Sequence, residues 1–192
     1  MPSQNGEITL RLATIEDLPG LVDIHNYYVR NTHTTFDVEP YTVQARRPWF
    51  EEHNDGKRYR IMIAEAGGVI LGLACSGRFR TRAAYDTTVE TSVYCRPEVV
   101  GRGLGTRLYQ ALFAELAGQD IHRAVAGVAQ PNEASNALHR KLGFRELGTY
   151  SEVGRKFGKY WDVRWFERGL EGGPAFLDSI GEKSGSISHP HQ

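Results

Sequence analysis

Residues 98–109 read Glu-Val-Val-Gly-Arg-Gly-Leu-Gly-Thr-Arg-Leu-Tyr, so Gly101, Gly103 and Gly105 alternate between an apolar β-rich run and a leucine-rich helical one. Glycine is unfavourable inside a strand or helix and is tolerated where the backbone must turn left-handed or approach another group closely. The group most often approached at a helix N-terminus is a phosphate, because unpaired N–H groups and a partial positive charge converge there. A plain tight turn would account for one or two of these glycines and accounts less well for three with Arg102 set among them. The junction therefore commits this stretch to a strand–loop–helix unit and makes phosphate binding the leading functional expectation.

The remaining bulk properties narrow the field. At 192 residues the chain is long enough for one domain with a substantial core. Lys plus Arg equals Asp plus Glu at 23 each, so no global basic field recruits nucleic acid or an anionic membrane. No apolar stretch reaches the roughly 20 residues of a membrane span, and residues 1–13 lack the basic-then-apolar pattern of a signal peptide. Cys75 and Cys95 sit in separate apolar runs without C-x-x-C spacing, so structural thiols are expected rather than a metal or redox pair. A cytoplasmic protein without a metal site is the resulting expectation.

Residues 8–13 alternate as a strand, and Thr14 with Asp17 forms a capping box ahead of a helix carrying Leu18, Leu21, Val22 and Ile24. A second helix is expected over residues 43–53, with Trp49 and Phe50 inward. Residues 59–66 and 69–79 form a hairpin about Gly67-Gly68. A strand over residues 88–95 precedes the glycine loop, and a helix over residues 104–117 follows it. Residues 123–129 form a further strand, and Pro131-Asn132 opens a helix that Gly143 ends. Residues 144–150 and 160–167 are expected as strands around a loop over 152–159. The order β-α-α-β-β-β-α-β-α-β-β predicts an α/β fold. Its mixed sheet has helices on both faces, antiparallel from the second to the fourth strand and parallel across the glycine-loop crossover. Residues 7–170 form the expected domain. Residues 171–192, rich in Gly, Ser, Pro and His and including His189 and His191, form an expected mobile tail with no chemistry.

Two familiar phosphate loops fit poorly. A nucleoside triphosphate loop requires a Lys-Ser/Thr pair after its glycines, and none follows here. A dinucleotide fingerprint opens the first β-α-β unit and requires a third glycine where Leu108 stands. The Arg102-Gly103-Leu104-Gly105 segment after a strand instead resembles the acyl-CoA pyrophosphate loop of the GNAT superfamily of N-acetyltransferases. It departs from that pattern at Val100, where Gln or Arg is usual. Residues 132–144, Asn-Glu-Ala-Ser-Asn-Ala-Leu-His-Arg-Lys-Leu-Gly-Phe, resemble the superfamily's second segment, with Ser135 for the usual Ala and His139 for the usual Tyr. At helical spacing Asn132, Ser135, Asn136 and His139 share one face. Residues 83–94, the Thr34-Thr35-Phe36 segment and residues 153–163 are further similar to the phosphinothricin and methionine sulfone/sulfoximine N-acetyltransferase family, a likeness spanning about residues 9–170.

The resemblance implies an acyl-CoA N-acyltransferase fold, acetyl-CoA as cosubstrate, a small amino-acid-like amine as acceptor and a homodimer. Direct transfer in a ternary complex is implied too. An amine is mostly ammonium at neutral pH and must lose a proton before attack, and the resemblance makes Glu90 the candidate base. The residues alone leave open a carboxylate facing solvent. His139 is the candidate acid or relay, with a purely structural histidine as the alternative. The backbone of Val93, Tyr94 and Cys95 is expected along the pantetheine arm. The loop Gly101, Arg102, Gly103, Leu104, Gly105 and Thr106 is expected on the pyrophosphate, with Asn132 beside the arm. Phe36, Arg80, Arg82 and Tyr85 are the acceptor candidates, the arginines because a carboxylate and a tetrahedral oxygenated head need cations. A different amine (a protein N-terminus, lysine, polyamine or antibiotic), or a non-catalytic CoA-binding module, remains the alternative.

Overall fold

A computed structural model describes residues 7–170 apart from Asp55 and Lys57. The expected tail, with His189 and His191, lies outside the described residues. In chain order the elements are β1 (Thr9–Leu12), α1 (Leu18–Asn31), α2 (Val43–Glu52), β2 (Ile61–Ala66), β3 (Val69–Arg78) and β4 (Thr88–Cys95), then α3 (Leu104–Leu116), β5 (Arg123–Ala129), α4 (Glu133–Lys141), β6 (Arg145–Lys156) and β7 (Lys159–Gly169). They form a seven-stranded sheet in the order β1-β2-β3-β4-β5-β7-β6, in which only the β4–β5 pair is parallel.

Alternation along the strands divides the core in two. On one face Leu104, Leu108, Leu112 and Leu116 form a stripe of α3 that packs on Ala74, Val89 and Ala126 of the sheet. On the other face Leu18, Leu21, Val22 and Ile24 of α1, with Phe50 of α2, cover Leu73 and Cys75. Each leucine fully removed from water contributes about 1.5–3 kcal/mol. The capping box ahead of α1 forms as the sequence predicts, the Thr14 N–H donating to Asp17 at 2.7 Å.

The last hairpin differs from expectation. Residues 152–156 continue β6 rather than looping, and the chain reverses only at Phe157 (φ 53) and Gly158 (φ 74), both left-handed. A register shift between Tyr150 and Gly154 breaks the alternation, and Asp162 accepts the Glu152 N–H at 2.8 Å to hold the irregularity. The hairpin is fastened to the loop after α1. Lys156 Nζ donates to the Thr35 carbonyl at 2.8 Å, and Trp161 stacks on His33 with ring centroids 4.1 Å apart. Among the described residues no helix is long and apolar enough to cross a membrane.

Candidate active site

The parallel pair β4–β5 holds register only at Thr88, Val89 and Glu90, opposite Arg123, Ala124 and Val125. Beyond that rung β5 pairs only with β7, while β4 stays on β3 as far as Cys95. One edge of β4 therefore opens from Thr91 onward, and a cavity of about 660 Å³ fills the gap between β4, α3 and α4.

The glycine loop forms one end of that cavity. Gly101 (φ +82) and Gly103 (φ +77) are left-handed with open space where a Cβ would stand. Gly103 caps α3, leaving the first-turn N–H groups of Leu104, Gly105 and Thr106 without helical partners. Gly105 has a different role: a Cβ there would meet Leu138 at 3.1 Å, so this glycine lets α4 lie against α3. Gly101, Gly103, Leu104, Gly105 and Thr106 all line the cavity, whereas Arg102 is exposed and does not. Val93, Tyr94 and Cys95 of β4 also line the cavity. The Cys95 carbonyl accepts the Tyr28 hydroxyl at 2.6 Å, which ties α1 to this end of β4 and takes one of that oxygen's two lone pairs.

Asn132 and His139 also line the cavity. Asn132 uses its side-chain oxygen to cap α4, accepting the Ser135 N–H at 3.1 Å. His139 is 3 % exposed, stacked on Phe166 and edge-on to Phe144. Its Nδ1 lies 2.7 Å from the Ser135 carbonyl, which fixes the proton on that nitrogen and leaves Nε2 to accept the Tyr109 hydroxyl at 3.2 Å. Burial holds its pKa below the ordinary imidazole value, against the pull of the Ser135 carbonyl. Tyr109 went unassigned in the sequence because on α3 it reads as one more core position. It is fully buried, lines the cavity, and is pushed well above the ordinary phenol range by that burial.

Glu90 lies on the opposite face of β4 from Val89, at the last rung before the strands part. Burial raises its pKa above the usual carboxylate value, and Arg80 acts in the opposite sense. A second cavity, about 180 Å³, lies on this face among α1, the loop after it, α2 and the sheet, and it shares Ser92 and Tyr94 with the first. Of the acceptor candidates, Arg80 is exposed and stacks over Phe79 and Tyr85, and Arg82 is exposed in the same loop. Phe36 lies so close to Gly154 that any Cβ there would collide with its ring. None of Phe36, Arg80, Arg82 or Tyr85 lines either cavity, and Glu90 itself stands just outside both linings, next to Thr91 and two residues from Ser92. Burial pushes the Cys75 thiol up to about 12 and that of Cys95 up to about 11, so neither is a thiolate near neutrality.

The left-handed cradle, the free first turn of α3 and the long open cavity fit a pyrophosphate with an extended arm, the shape of coenzyme A. Residues 21–144 match the Acetyltransferase (GNAT) family. The chain is 52% identical to a phosphinothricin N-acetyltransferase of Streptomyces coelicolor over 166 residues, which cover 85% of this chain and 97% of that protein. It is 37% identical to an L-methionine sulfoximine/L-methionine sulfone acetyltransferase of Pseudomonas aeruginosa, covering 85% of this chain and 95% of the relative. Its fold superposes with a TM-score of 0.82 on a phosphinothricin acetyltransferase from Sinorhizobium meliloti solved in complex with AcCoA, at 29% identity, covering 92% of this chain and 96% of that one. On these grounds the chain belongs to the acetyltransferase (GNAT) family and is an N-acetyltransferase.

Proposed function

We propose that the enzyme acetylates the α-amino group of a small amino-acid-like acceptor of the phosphinothricin, methionine sulfone or methionine sulfoximine type, with acetyl-CoA as donor and both substrates bound together. The observation that carries this reading is the meeting of the two cavities at Ser92 and Tyr94, with Glu90 two residues before Ser92 on the same face of β4. The relatives named for those acceptors supply the substrate class.

Acetyl-CoA contributes an activated acetyl group held as a thioester. The N–H groups of Leu104, Gly105 and Thr106 are suited to its pyrophosphate, and Arg102 adds positive charge from the exposed side of the loop. Glu90 takes the proton from the acceptor ammonium, directly or through one water. A carboxylate raised by burial is a better base than one in bulk water. Tyr109 and His139 form the polar pair on the cofactor side and hold the proton that the departing sulfur requires. The raised thiols of Cys75 and Cys95 support direct transfer over an acyl-cysteine. Positioning supplies much of the acceleration. Arg80, Arg82, Phe36 and Tyr85 act at the mouth, where Arg80 is suited to the acceptor's α-carboxylate beside Glu90.

A homodimer in the cytoplasm completes the proposal. Tyr150, Val153, Phe157 and Tyr160, each more than half exposed on the β6–β7 hairpin, support a second copy as the cover for that face. The two free cysteines suit a reducing compartment.

The test is free-thiol release from acetyl-CoA with phosphinothricin, methionine sulfone, methionine sulfoximine, ordinary amino acids and a polyamine. Saturable turnover concentrated on the first three supports the reading. Turnover of the polyamine alone would replace the acceptor class, and measurable CoA binding without turnover of any of these amines would leave the cofactor site standing and overturn the acceptor assignment.

A further inference from the structure

The smaller cavity contains a cation that no sequence motif singles out. Arg46, on α2, lines it together with Trp49, Asp37, Thr35, Ser92 and Tyr94. Its guanidinium lies between two aromatic faces, with Cζ 4.2 Å from the Trp49 ring centroid and 4.7 Å from that of Tyr41. Such faces fix the plane of a guanidinium, and Tyr41 also takes a side-chain hydrogen bond from it, leaving its other N–H donors available. Asp37, the carboxylate of the cavity, is already engaged. His25 Nε2 lies 2.7 Å from one oxygen, and the Tyr41 hydroxyl donates to the other at 3.2 Å. Among the described residues no carboxylate lies within ion-pair distance of Arg46, unlike its neighbour Arg47, which pairs with Glu51. Arg46 is thus a preoriented cation on a cavity of mixed lining, hydrogen-bonded to Tyr41 and within electrostatic reach of Asp37 but with no carboxylate at ion-pair distance.

The cavity's place relative to the chemistry gives that cation a task. Cys75 lines it, and the Cys75 thiol lies within electrostatic reach of both Arg46 and Glu90. Arg80 exerts its influence on Glu90 from an exposed loop. Neither Glu90 nor Arg80 lines this cavity, but Ser92 does, two residues along β4 from Glu90. A molecule with its amine at Glu90 and its α-carboxylate toward Arg80 would extend its side chain along Ser92 and Cys75 toward Arg46. The distal group that a planar two-pronged donor reads best carries two oxygens on one centre, as a sulfone, sulfoximine or phosphinate does. A thioether offers it no strong acceptor, and a cationic polyamine tail is repelled by it.

We infer that Arg46 is the specificity-determining residue for the oxygenated tetrahedral head of the acceptor side chain, while the exposed arginines of the loop at residues 78–82 act on the α-carboxylate. This deepens the acceptor reading above and rests on it.

The experiment compares kcat/KM for methionine sulfone, methionine sulfoximine, phosphinothricin and unoxidised methionine in the wild type, Arg46→Met and Arg46→Lys. Thermal midpoint and CoA binding serve as controls of folding. In Arg46→Met the ratio of methionine sulfone to methionine is expected to fall about 10- to 100-fold, mainly through KM, because a charge-assisted contact is lost. Arg46→Lys is expected to recover part of the ratio, since it keeps the charge and loses the fork. Should Arg46→Met fail to fold, Arg46→Gln is read by the same ratio. An equal drop for all acceptors, or no change, would overturn the inference. A wild type that acetylates methionine as readily as its sulfone overturns it too, while leaving an amino-acid N-acetyltransferase standing. A wild type that turns over no amino acid removes the acceptor reading itself.

Discussion

The Tyr109 hydroxyl lies 3.2 Å from Nε2 of His139, and the two side chains, one from α3 and one from α4, are almost wholly enclosed. Because Nδ1 of the same ring is committed to the Ser135 carbonyl, Nε2 is the accepting nitrogen and Tyr109 the donor. Removing the hydroxyl strands a buried acceptor. Tyr109→Phe is therefore expected to lower stability by about 1–3 kcal/mol. It is also expected to lower kcat, since the pair is proposed to hold the proton for the leaving sulfur. Urea unfolding and steady-state kinetics separate the two effects: a stability loss with unchanged kcat would leave the pair a purely structural one.

Glu90 carries a pH signature. Burial raises its pKa, so the base form is gained only above the ordinary carboxylate range of about 4.3. The acid limb of kcat/KM is expected above that range, and Arg80→Gln, by removing the opposing cation, is expected to move it to higher pH still. Glu90→Gln is expected to abolish the limb and cost about 10²–10⁴-fold in kcat/KM with CoA binding retained. Deprotonated Glu90 also destabilises the fold. A raised carboxyl favours folding when protonated, and that contribution is lost as pH rises through the folded pKa. Glu90→Gln should thus be the more stable protein at neutral pH, as thermal melts across pH would show.

Gly103 caps α3 at φ +77, a conformation that costs an L-residue about 1–2 kcal/mol. Gly103→Ala is expected to lower the thermal midpoint and to raise KM for acetyl-CoA while leaving KM for the acceptor unchanged. An unchanged acetyl-CoA KM would separate the cradle from the cofactor.

Much of this fold was legible because its local signals agree with its long-range contacts. The capping box at Thr14, the leucine stripe of α3 and the Gly67-Gly68 turn each specify one local conformation. The full length of the β6–β7 hairpin is not legible along the chain because the register shift before Gly154 destroys the period-2 pattern, and because Phe157, an unusual left-handed residue, makes half of the turn. In the candidate site, Glu90 and the glycine loop stand out along the chain. Arg46 does not, because its cavity gathers residues from α1, the loop after it, α2, β3 and β4, and α2 on its own is a polar surface helix.

Phe36 and Gly154 form a contact that admits no Cβ. Gly154→Ala is expected to displace the Phe36 ring, costing about 1–3 kcal/mol as an overpacked site and altering KM for the acceptor through the loop that carries Thr35 and Asp37. Adding Phe36→Ala should recover part of the stability, a negative coupling that a double-mutant cycle reads directly. Additive losses would show that the two positions act independently.

Asp17 joins the start of α1 to the edge of the sheet. Arg11 donates to both of its oxygens, at 2.7 and 2.9 Å, and the Thr14 N–H adds a third bond. The Arg11 hydrogen bond, ahead of the opposing cost of burial, holds the Asp17 carboxyl below its ordinary value. A depressed carboxyl contributes stability above its unfolded pKa of about 3.9 and loses it as pH falls through the lower folded one. Asp17→Asn keeps the shape and removes the charge, so it is expected to cost about 1 kcal/mol near neutrality. The gap to wild type should close progressively below about pH 4. Chemical denaturation at pH 7 and at successively lower pH measures that gap. A constant difference across the range would assign the effect to the lost capping geometry alone, and a difference that vanishes in acid would assign it to the ion pair with Arg11.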